Sequence, residues 1–166
     1  MKHILIIEDD TSIAELERDY LEANEITSEI VPNGELGLQK ALHQDYDLIL
    51  LDVMLPGMDG FALCREMRRN SMVPILFLTA RDSERDIMLG YDLGCDDYIV
   101  KPFSLATLYA KCKALIKRSK GADSNGELVC GAISMNPSRY MTKVNGVEVD
   151  LAPKEFVLLK ILLENK

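Results

Sequence analysis

Asp47-Leu48-Ile49-Leu50-Leu51-Asp52 is a short apolar run that ends on a carboxylate. Three other stretches share its form. His3-Ile4-Leu5-Ile6-Ile7 leads into Glu8-Asp9-Asp10, Pro74-Ile75-Leu76-Phe77-Leu78 into Thr79-Ala80, and Tyr98-Ile99-Val100 into Lys101-Pro102. Continuous apolar runs this short, separated by helical patterns, read as buried strands of a parallel sheet. In open sheets of that kind, ligands sit outside the carboxyl ends of the strands. The pattern therefore brings three carboxylates (Glu8, Asp9, Asp52), the Thr79 hydroxyl and the Lys101 ammonium towards one place.

Helical patterns fill the gaps. Thr11 or Ser12 can cap a helix with apolar positions Ile13, Leu16, Tyr20 and Leu21. A weaker pattern after Asn33-Gly34 uses Leu36, Leu38, Ala41 and Leu42. A third follows Pro56-Gly57-Met58-Asp59-Gly60 and carries Phe61, Cys64 and Met67. Asp82 or Ser83 opens a fourth, with Ile87, Met88 and Tyr91, closed by Gly94. The clearest is the fifth: Leu105, Leu108, Cys112, Leu115 and Ile116 keep helical spacing, and Lys111, Lys113, Lys117 and Arg118 suit its C-terminal end. With a second strand over 27–31 the order is five βα units. Right-handed crossovers then give an α/β domain with a doubly wound five-stranded parallel sheet.

The texture changes after Arg118. Residues 119–126 are small, polar and turn-prone, and read as a linker. Beyond them Leu128-Val129-Cys130, Ile133-Ser134-Met135 and Tyr140-Met141-Thr142-Lys143-Val144 alternate in the β manner. Asn145-Gly146 is a hairpin signal, with Val147–Leu151 as the return strand. A helix begins near Pro153, a favourable first-turn residue, and the sequence ends inside or just after it at Lys166. The expected division is a domain over 1–119, a linker over 120–126 and a second segment over 127–166.

With 48% hydrophobic and 28% charged residues, the 166-residue chain has the composition of an ordinary soluble globular protein. The apolar run after Met1 stops at acids within a few residues, so it is no signal-peptide core, and no stretch approaches a membrane span. Cys64, Cys95, Cys112 and Cys130 lack metal-type spacing, so a cytoplasmic protein with reduced thiols is expected. The two histidines, His3 and His43, are too few for a triad or metal cluster and read as structural. Residues 1–119 hold 21 acids against 13 bases, and residues 120–166 hold 6 of each. Neither part carries the positive charge that marks a nucleic-acid binder.

If Glu8, Asp9 and Asp52 meet, their mutual repulsion is large. Two unit charges about 4 Å apart near a protein surface repel by roughly 4 kcal/mol. Such a cluster takes up a proton or recruits a cation. Hard divalent cations prefer oxygen ligands, and Mg²⁺ is commonly shared with a phosphate. A carboxylate beside Mg²⁺ can act as a nucleophile and form an aspartyl phosphate. The transferring group spreads negative charge over its oxygens, which an ammonium and a hydroxyl can flank. Taken singly, each residue has a plain structural use: an acid after a strand caps a helix, and Lys-Pro makes a turn. The five together point to phosphoryl chemistry.

Glu8-Asp9-Asp10, Asp52 followed by Met54-Leu55-Pro56-Gly57-Met58-Asp59-Gly60, Leu78-Thr79-Ala80, Gly94-Cys95-Asp96-Asp97-Tyr98 and Lys101-Pro102-Phe103 together resemble bacterial two-component response-regulator receiver domains. The resemblance covers residues 2–118. It implies the flavodoxin-like strand order 2-1-3-4-5. It further implies that Asp52 accepts phosphate from a sensor histidine kinase. Mg²⁺ would be ligated by Asp9, Asp52 and the Met54 backbone carbonyl, with Glu8 acting through water. Lys101 would pair with the phosphoryl group, and Thr79 and Tyr98 would form a switch pair. A receiver of this kind is no enzyme beyond its own aspartyl phosphorylation and dephosphorylation.

Residues 127–166 resemble the amino-terminal part of the OmpR/PhoB winged-helix effector domain, a partial antiparallel sheet plus one helix, with Leu151-Ala152-Pro153-Lys154-Glu155-Phe156-Val157-Leu158-Leu159 matching. Ala152 stands where that family usually has Thr, which loses the hydroxyl half of a capping box with Glu155. The sequence ends before a recognition helix and wing. The resemblance implies transcription control, with DNA bound only when the effector domain is complete. It also implies homodimerisation on phosphorylation through a face bearing Asp96, Asp97 and Lys111; Ile87 and Thr107 replace the usual further ion pair.

Other readings compete. An aspartyl phosphatase of the dehalogenase type would carry a second Asp two residues after the nucleophile, where this chain has Met54. A degenerate receiver acting as a phosphate-independent interaction module would not need Glu8, Asp9, Asp52, Thr79 and Lys101 intact. A flavodoxin would need a hydroxyl- and glycine-rich phosphate loop after its first strand, and Glu8-Asp9-Asp10 stands there instead.

Overall fold

The structure, a computed structural model, describes residues 2–120, 128–136 and 141–164. The chain divides into two compact units, residues 1–116 and 117–166.

In the first unit the expected βα units form in order: β1 (Lys2–Ile7), α1 (Thr11–Glu22), β2 (Ile26–Val31), α2 (Gly34–His43), β3 (Leu48–Asp52), then β4 (Met54–Leu55), β5 (Met58–Asp59), α3 (Gly60–Met67), β6 (Ile75–Thr79), α4 (Glu84–Asp92), β7 (Asp97–Val100) and α5 (Leu105–Lys120). The long strands make one parallel sheet in the order β2-β1-β3-β6-β7. This is the flavodoxin-like order, with β6 and β7 as its fourth and fifth strands.

Strand alternation divides the core into two layers. Ile4, Ile6, Leu48, Leu50, Leu76 and Leu78 face one side and bury Ala14 and Leu21 of α1 with Leu108, Cys112, Leu115 and Ile116 of α5. Leu5, Ile7, Ile49, Leu51, Ile75 and Phe77 face the other and bury Ala41 of α2 with Phe61, Leu63, Cys64 and Met67 of α3. Because both faces are covered, the strands read as unbroken apolar runs.

Several local expectations need correcting. α1 is capped by Asp10, whose carboxylate accepts the Ser12 and Ile13 N–H groups at 3.0 and 3.1 Å, and not by Thr11 or Ser12. Its buried line is Ala14-Glu17-Leu21, which turns Leu16 out to solvent. Leu42, Met88 and Tyr91 are likewise exposed. The β4–β5 hairpin, antiparallel with Met54 opposite Asp59, was not legible as strands. α5 continues through Lys120, where the sequence suggested a linker; residues 121–126 of that linker lie outside the described residues.

Both histidines are packed as structural groups. His3 stacks on Tyr46 at 5.1 Å between ring centroids and its Nδ1 lies 3.0 Å from the Thr27 hydroxyl, while the His43 Nδ1 lies 2.7 Å from the Gln39 carbonyl. The four cysteines are free thiols; Cys64, Cys95 and Cys112 are buried.

The second unit contains β8 (Leu128–Cys130), β9 (Ile133–Asn136), β10 (Met141–Val144), β11 (Val147–Val149) and α6 (Pro153–Glu164). Its sheet is antiparallel in the order β11-β10-β9-β8, and Val144 pairs with Val147 across the Asn145-Gly146 turn. Tyr140 and residues 165–166 lie outside the described residues. Met135, Phe156 and Leu163 form a small core, with Leu128, Ile133, Leu151 and Leu159 against it. Val157, Leu158, Ile161 and Leu162 on the rest of α6 are exposed.

Candidate functional site

Parallel register builds the site. Ile7 pairs with Leu51, so the next residues, Glu8 and Asp52, stand side by side at the carboxyl end of the sheet. Asp9 follows in the turn to α1. One carboxylate oxygen from each of Glu8, Asp9 and Asp52 lies within 4.8 Å of the others. Glu8 and Asp52 are buried and Asp9 is exposed. Lys101 follows β7, two strands from β3. Its backbone N–H is fixed first, donating to the Thr79 carbonyl at 2.8 Å, and the Lys101–Pro102 peptide is cis. Its ammonium then donates to Asp52 Oδ2 and Glu8 Oε2, both at 2.7 Å.

The electrostatics follow from this packing. Burial pushes the Glu8 carboxyl up from its ordinary value, although the Lys101 ammonium and the Asp10 N–H pull the other way. Burial alone would lower the Lys101 pKa; its bonds to Asp52 and Glu8 outweigh that and hold it above the usual lysine value. One ammonium thus bridges two of the three carboxylates but can cancel only one unit of their charge.

The β3–α3 connection aims Asp52. The Met54 N–H donates to Asp52 Oδ1 at 2.8 Å, and the Gly60 N–H to the Val53 carbonyl at 2.9 Å. Gly60 presses on this backbone: a Cβ there would stand 2.5 Å from Val53 Cα and 2.6 Å from the Asp52 carbonyl oxygen. Only glycine permits that approach. The cleft in front, about 530 Å³, is lined by Asp9, the 53–59 backbone turn and Arg81.

Thr79 closes β6 and is fully buried; its hydroxyl accepts the Arg81 N–H at 3.3 Å. Tyr98 is buried too, its ring edge-on to Phe77 and its hydroxyl donating to the Arg81 carbonyl at 2.8 Å. The Arg81 residue therefore joins the two hydroxyls, and its guanidinium covers the Phe61 ring at 5.3 Å. Burial raises the Tyr98 phenol to about 12.

The remaining expected residues are spread along β7, α4 and α5. Asp97 pairs with Lys111 at 2.8 Å and accepts the Tyr91 hydroxyl at 3.2 Å. Burial would raise the Asp97 pKa, but the Lys111 ammonium and the Tyr98 N–H hold it low. Asp96 turns to its own chain, accepting Arg68 Nη2 at 2.7 Å and the Ile75 N–H at 2.8 Å. Ile87 is half-buried and Thr107 exposed.

Sequence reasoning missed three residues. Arg81 acts largely through its main chain, which no side-chain motif reveals. Arg68 binds the Gly94, Ser71 and Val73 carbonyls as well as Asp96. Glu17 is 1% exposed with neither carboxylate oxygen hydrogen-bonded, and burial pushes its carboxyl up to about 8, reinforced by Glu8. Its signal was its helical spacing from Ala14 and Leu21, which puts an acid on the buried line.

A family model of the response regulator receiver domain matches residues 4–113. The chain belongs to the response regulator family. It is 39% identical over 167 residues to the uncharacterised transcriptional regulatory protein YclJ of Bacillus subtilis, covering 98% of this chain and 74% of YclJ. Sensory transduction protein RegX3 of Mycobacterium tuberculosis is 38% identical over 168 residues, covering 99% of this chain and 74% of RegX3. Among solved structures, the response regulator DrrB of Thermotoga maritima, an OmpR/PhoB homolog, matches with a TM-score of 0.64 and 26% identity over 99% of this chain and 73% of DrrB. The chain thus spans about three quarters of the length of these relatives. It is a two-component response regulator with the receiver fold. Neither the phosphatase nor the degenerate-module reading is favoured. Among the described residues, no helix is long and apolar enough to cross a membrane.

Proposed function

We propose that Asp52 is the phosphoacceptor of a receiver spanning residues 1–119, loaded from the phosphohistidine of a sensor kinase. The observation that carries this reading is the setting of Asp52. It is a buried carboxylate fixed by the Met54 N–H and the Lys101 ammonium, beside Glu8 and Asp9, with Asp9 and the neighbouring Val53 and Met54 lining a cleft. Asp52 Oδ attacks phosphorus, the donor's P–N bond breaks, and its imidazole leaves. Lys101 would neutralise charge on the transferring oxygens, and the Thr79 hydroxyl would donate to them.

The oxygen donors of Glu8, Asp9 and Asp52 fit Mg²⁺, a hard cation that prefers such ligands and keeps several waters. Asp9, Asp52 and the Met54 carbonyl would hold it, with Glu8 acting through water. The bound cation would neutralise the charge of the incoming phosphate.

The Thr79–Arg81–Tyr98 connection supports a switch in which the Thr79 hydroxyl turns to the phosphoryl group and the Tyr98 ring follows inward. The face carrying Asp97 and Lys111, with Asp96 at its edge, would then dimerise, more weakly than with the ion pair that Ile87 and Thr107 cannot make. Residues 127–166 are read as the amino-terminal part of a winged-helix effector, joined through residues 120–126. The apolar α6 face at Leu158, Ile161 and Leu162 is where the rest of such a domain would pack. DNA binding belongs to the complete effector, and the setting is cytoplasmic.

Incubation with a small phosphodonor and Mg²⁺, read by mass spectrometry, tests the central claim. One phosphoryl group should add to the wild type and none to Asp52→Asn. Full labelling of the variant would remove Asp52 from its role.

A further inference from the structure

Glycine is a poor residue for a helix interior, yet Gly90 stands inside α4 and is the buried residue of that helix. Met88, Leu89 and Tyr91 around it are exposed. α4 therefore meets the core through Gly90, its fully buried position and one without a side chain, with half-buried Ile87 packed beside it.

Two rings meet that position. A methyl group at residue 90 would lie 3.1 Å from Phe77 Cδ2, 3.2 Å from Phe77 Cε2 and 3.2 Å from Tyr98 Cδ2. Comfortable carbon–carbon contacts are about 3.5–4.0 Å, so something must give. Phe77 is fixed: it lies on β6 inside the sheet, fully buried, edge-on between Phe61 at 5.5 Å and Tyr98 at 5.9 Å. Tyr98 has more room to yield, because β7 is the edge strand and the residue keeps 8% of its surface exposed where Phe77 keeps none.

We propose that Gly90 sets the in–out balance of the Tyr98 ring, its missing side chain forming the slot in which the ring lies against Phe77. A side chain at 90 drives the ring towards solvent and breaks its bond to the Arg81 carbonyl. Since the Arg81 N–H holds the Thr79 hydroxyl, the change reaches the end of β6. Gly90 touches none of the reacting groups, so it is a positioning residue. The inference rests on the reading of Tyr98 as the switch aromatic.

Gly90→Ala in the full chain tests it, and alanine's higher helix propensity favours folding of the variant. Ring-labelled tyrosine with Tyr98→Phe as the assignment control allows the ring to be followed by NMR. In Gly90→Ala the Tyr98–Phe77 cross-peaks should disappear. The Tyr98 phenol should titrate nearer the ordinary value of about 10 than the buried value of about 12. Phosphorylation of Asp52 should persist while phosphorylation-driven self-association weakens several-fold. Retained cross-peaks with an unchanged phenol titration would overturn the proposal, since α4 would then have lifted as a body. Failure of Asp52 to label in the wild type is a separate outcome that removes the switch reading but not the ring measurement.

Discussion

Lys101 and Asp52, 49 positions apart, are joined by a 2.7 Å charge-assisted hydrogen bond, and the same ammonium holds Glu8 at 2.7 Å. One cation thereby keeps two buried carboxylates together ahead of any metal or phosphate. Removing one partner of a buried pair leaves an uncompensated charge, at a cost of about 3–5 kcal/mol. Lys101→Met should therefore lose stability of about that order at pH 7. The deficit should shrink as the pH falls, because the Glu8 carboxyl is already raised by burial and takes up a proton early. Denaturant unfolding at pH 7 and pH 5 measures both; an equal deficit at the two values would refute the account.

Glu17 gives the opposite pH dependence from an ordinary paired carboxylate. Its folded value is raised from 4.5 to about 8, with burial as the main cause. The folded receiver thus keeps a proton that the unfolded chain has released. Its contribution to stability is complete below about pH 4.5 and is lost as the pH rises towards about 8. At pH 7 the penalty is on the order of 3 kcal/mol. Glu17→Leu should raise the melting temperature at pH 7 and flatten the fall in stability between pH 5 and pH 8. A parallel pair of pH profiles for wild type and variant would show that Glu17 ionises freely.

The strand tips were legible in the sequence because a fully covered parallel sheet leaves unbroken apolar runs, and register then brings Glu8 beside Asp52. Helix faces were less legible. Leu16 and Glu17 are neighbours, and hydropathy alone buries the leucine; α1 instead turns Ala14, Glu17 and Leu21 to the sheet. Arg81 escaped for another reason: its backbone N–H and carbonyl link Thr79 to Tyr98, and main-chain groups leave no mark in composition. Asp96 shows the limit of a motif, since Arg68 claims it within the chain.

Gly60 is expected to be intolerant of any side chain. A Cβ 2.5 Å from Val53 Cα and 2.6 Å from the Asp52 carbonyl meets backbone that cannot swing aside. Gly60→Ala should cost about 1–3 kcal/mol through overpacking. It should also slow phosphorylation of Asp52 by shifting the acceptor carboxylate. Wild-type labelling rates in a folded variant would show that the β3–α3 turn does not aim Asp52.

Asp9 is the exposed member of the acidic cluster and makes no bond to Lys101, so it is the carboxylate most available to a cation. Asp9→Ala should abolish measurable Mg²⁺ binding in titration calorimetry while leaving the fold intact. Phosphorylation by a small phosphodonor should fall with it. Undiminished Mg²⁺ affinity in Asp9→Ala would move the cation site elsewhere.

The last expectation concerns the start of α6. Glu155 reaches back to accept the Ala152 N–H at 2.9 Å, and the Ala152 carbonyl accepts the Phe156 N–H at 2.9 Å. This is half of a capping box: the acid is present, but the N-cap side chain has no oxygen for the Glu155 backbone N–H. Ala152→Thr supplies it. An N-cap hydroxyl is worth about 0.5–2 kcal/mol, a substantial share for a unit whose core, among the described residues, consists of Met135, Phe156 and Leu163 with a few half-buried neighbours. The variant should slow amide hydrogen exchange in α6, with the largest effect in the first turn, and leave the exchange of β1, β3 and β6 unchanged. Unaltered exchange throughout α6 would show that packing on Met135, and not the missing cap, limits the helix.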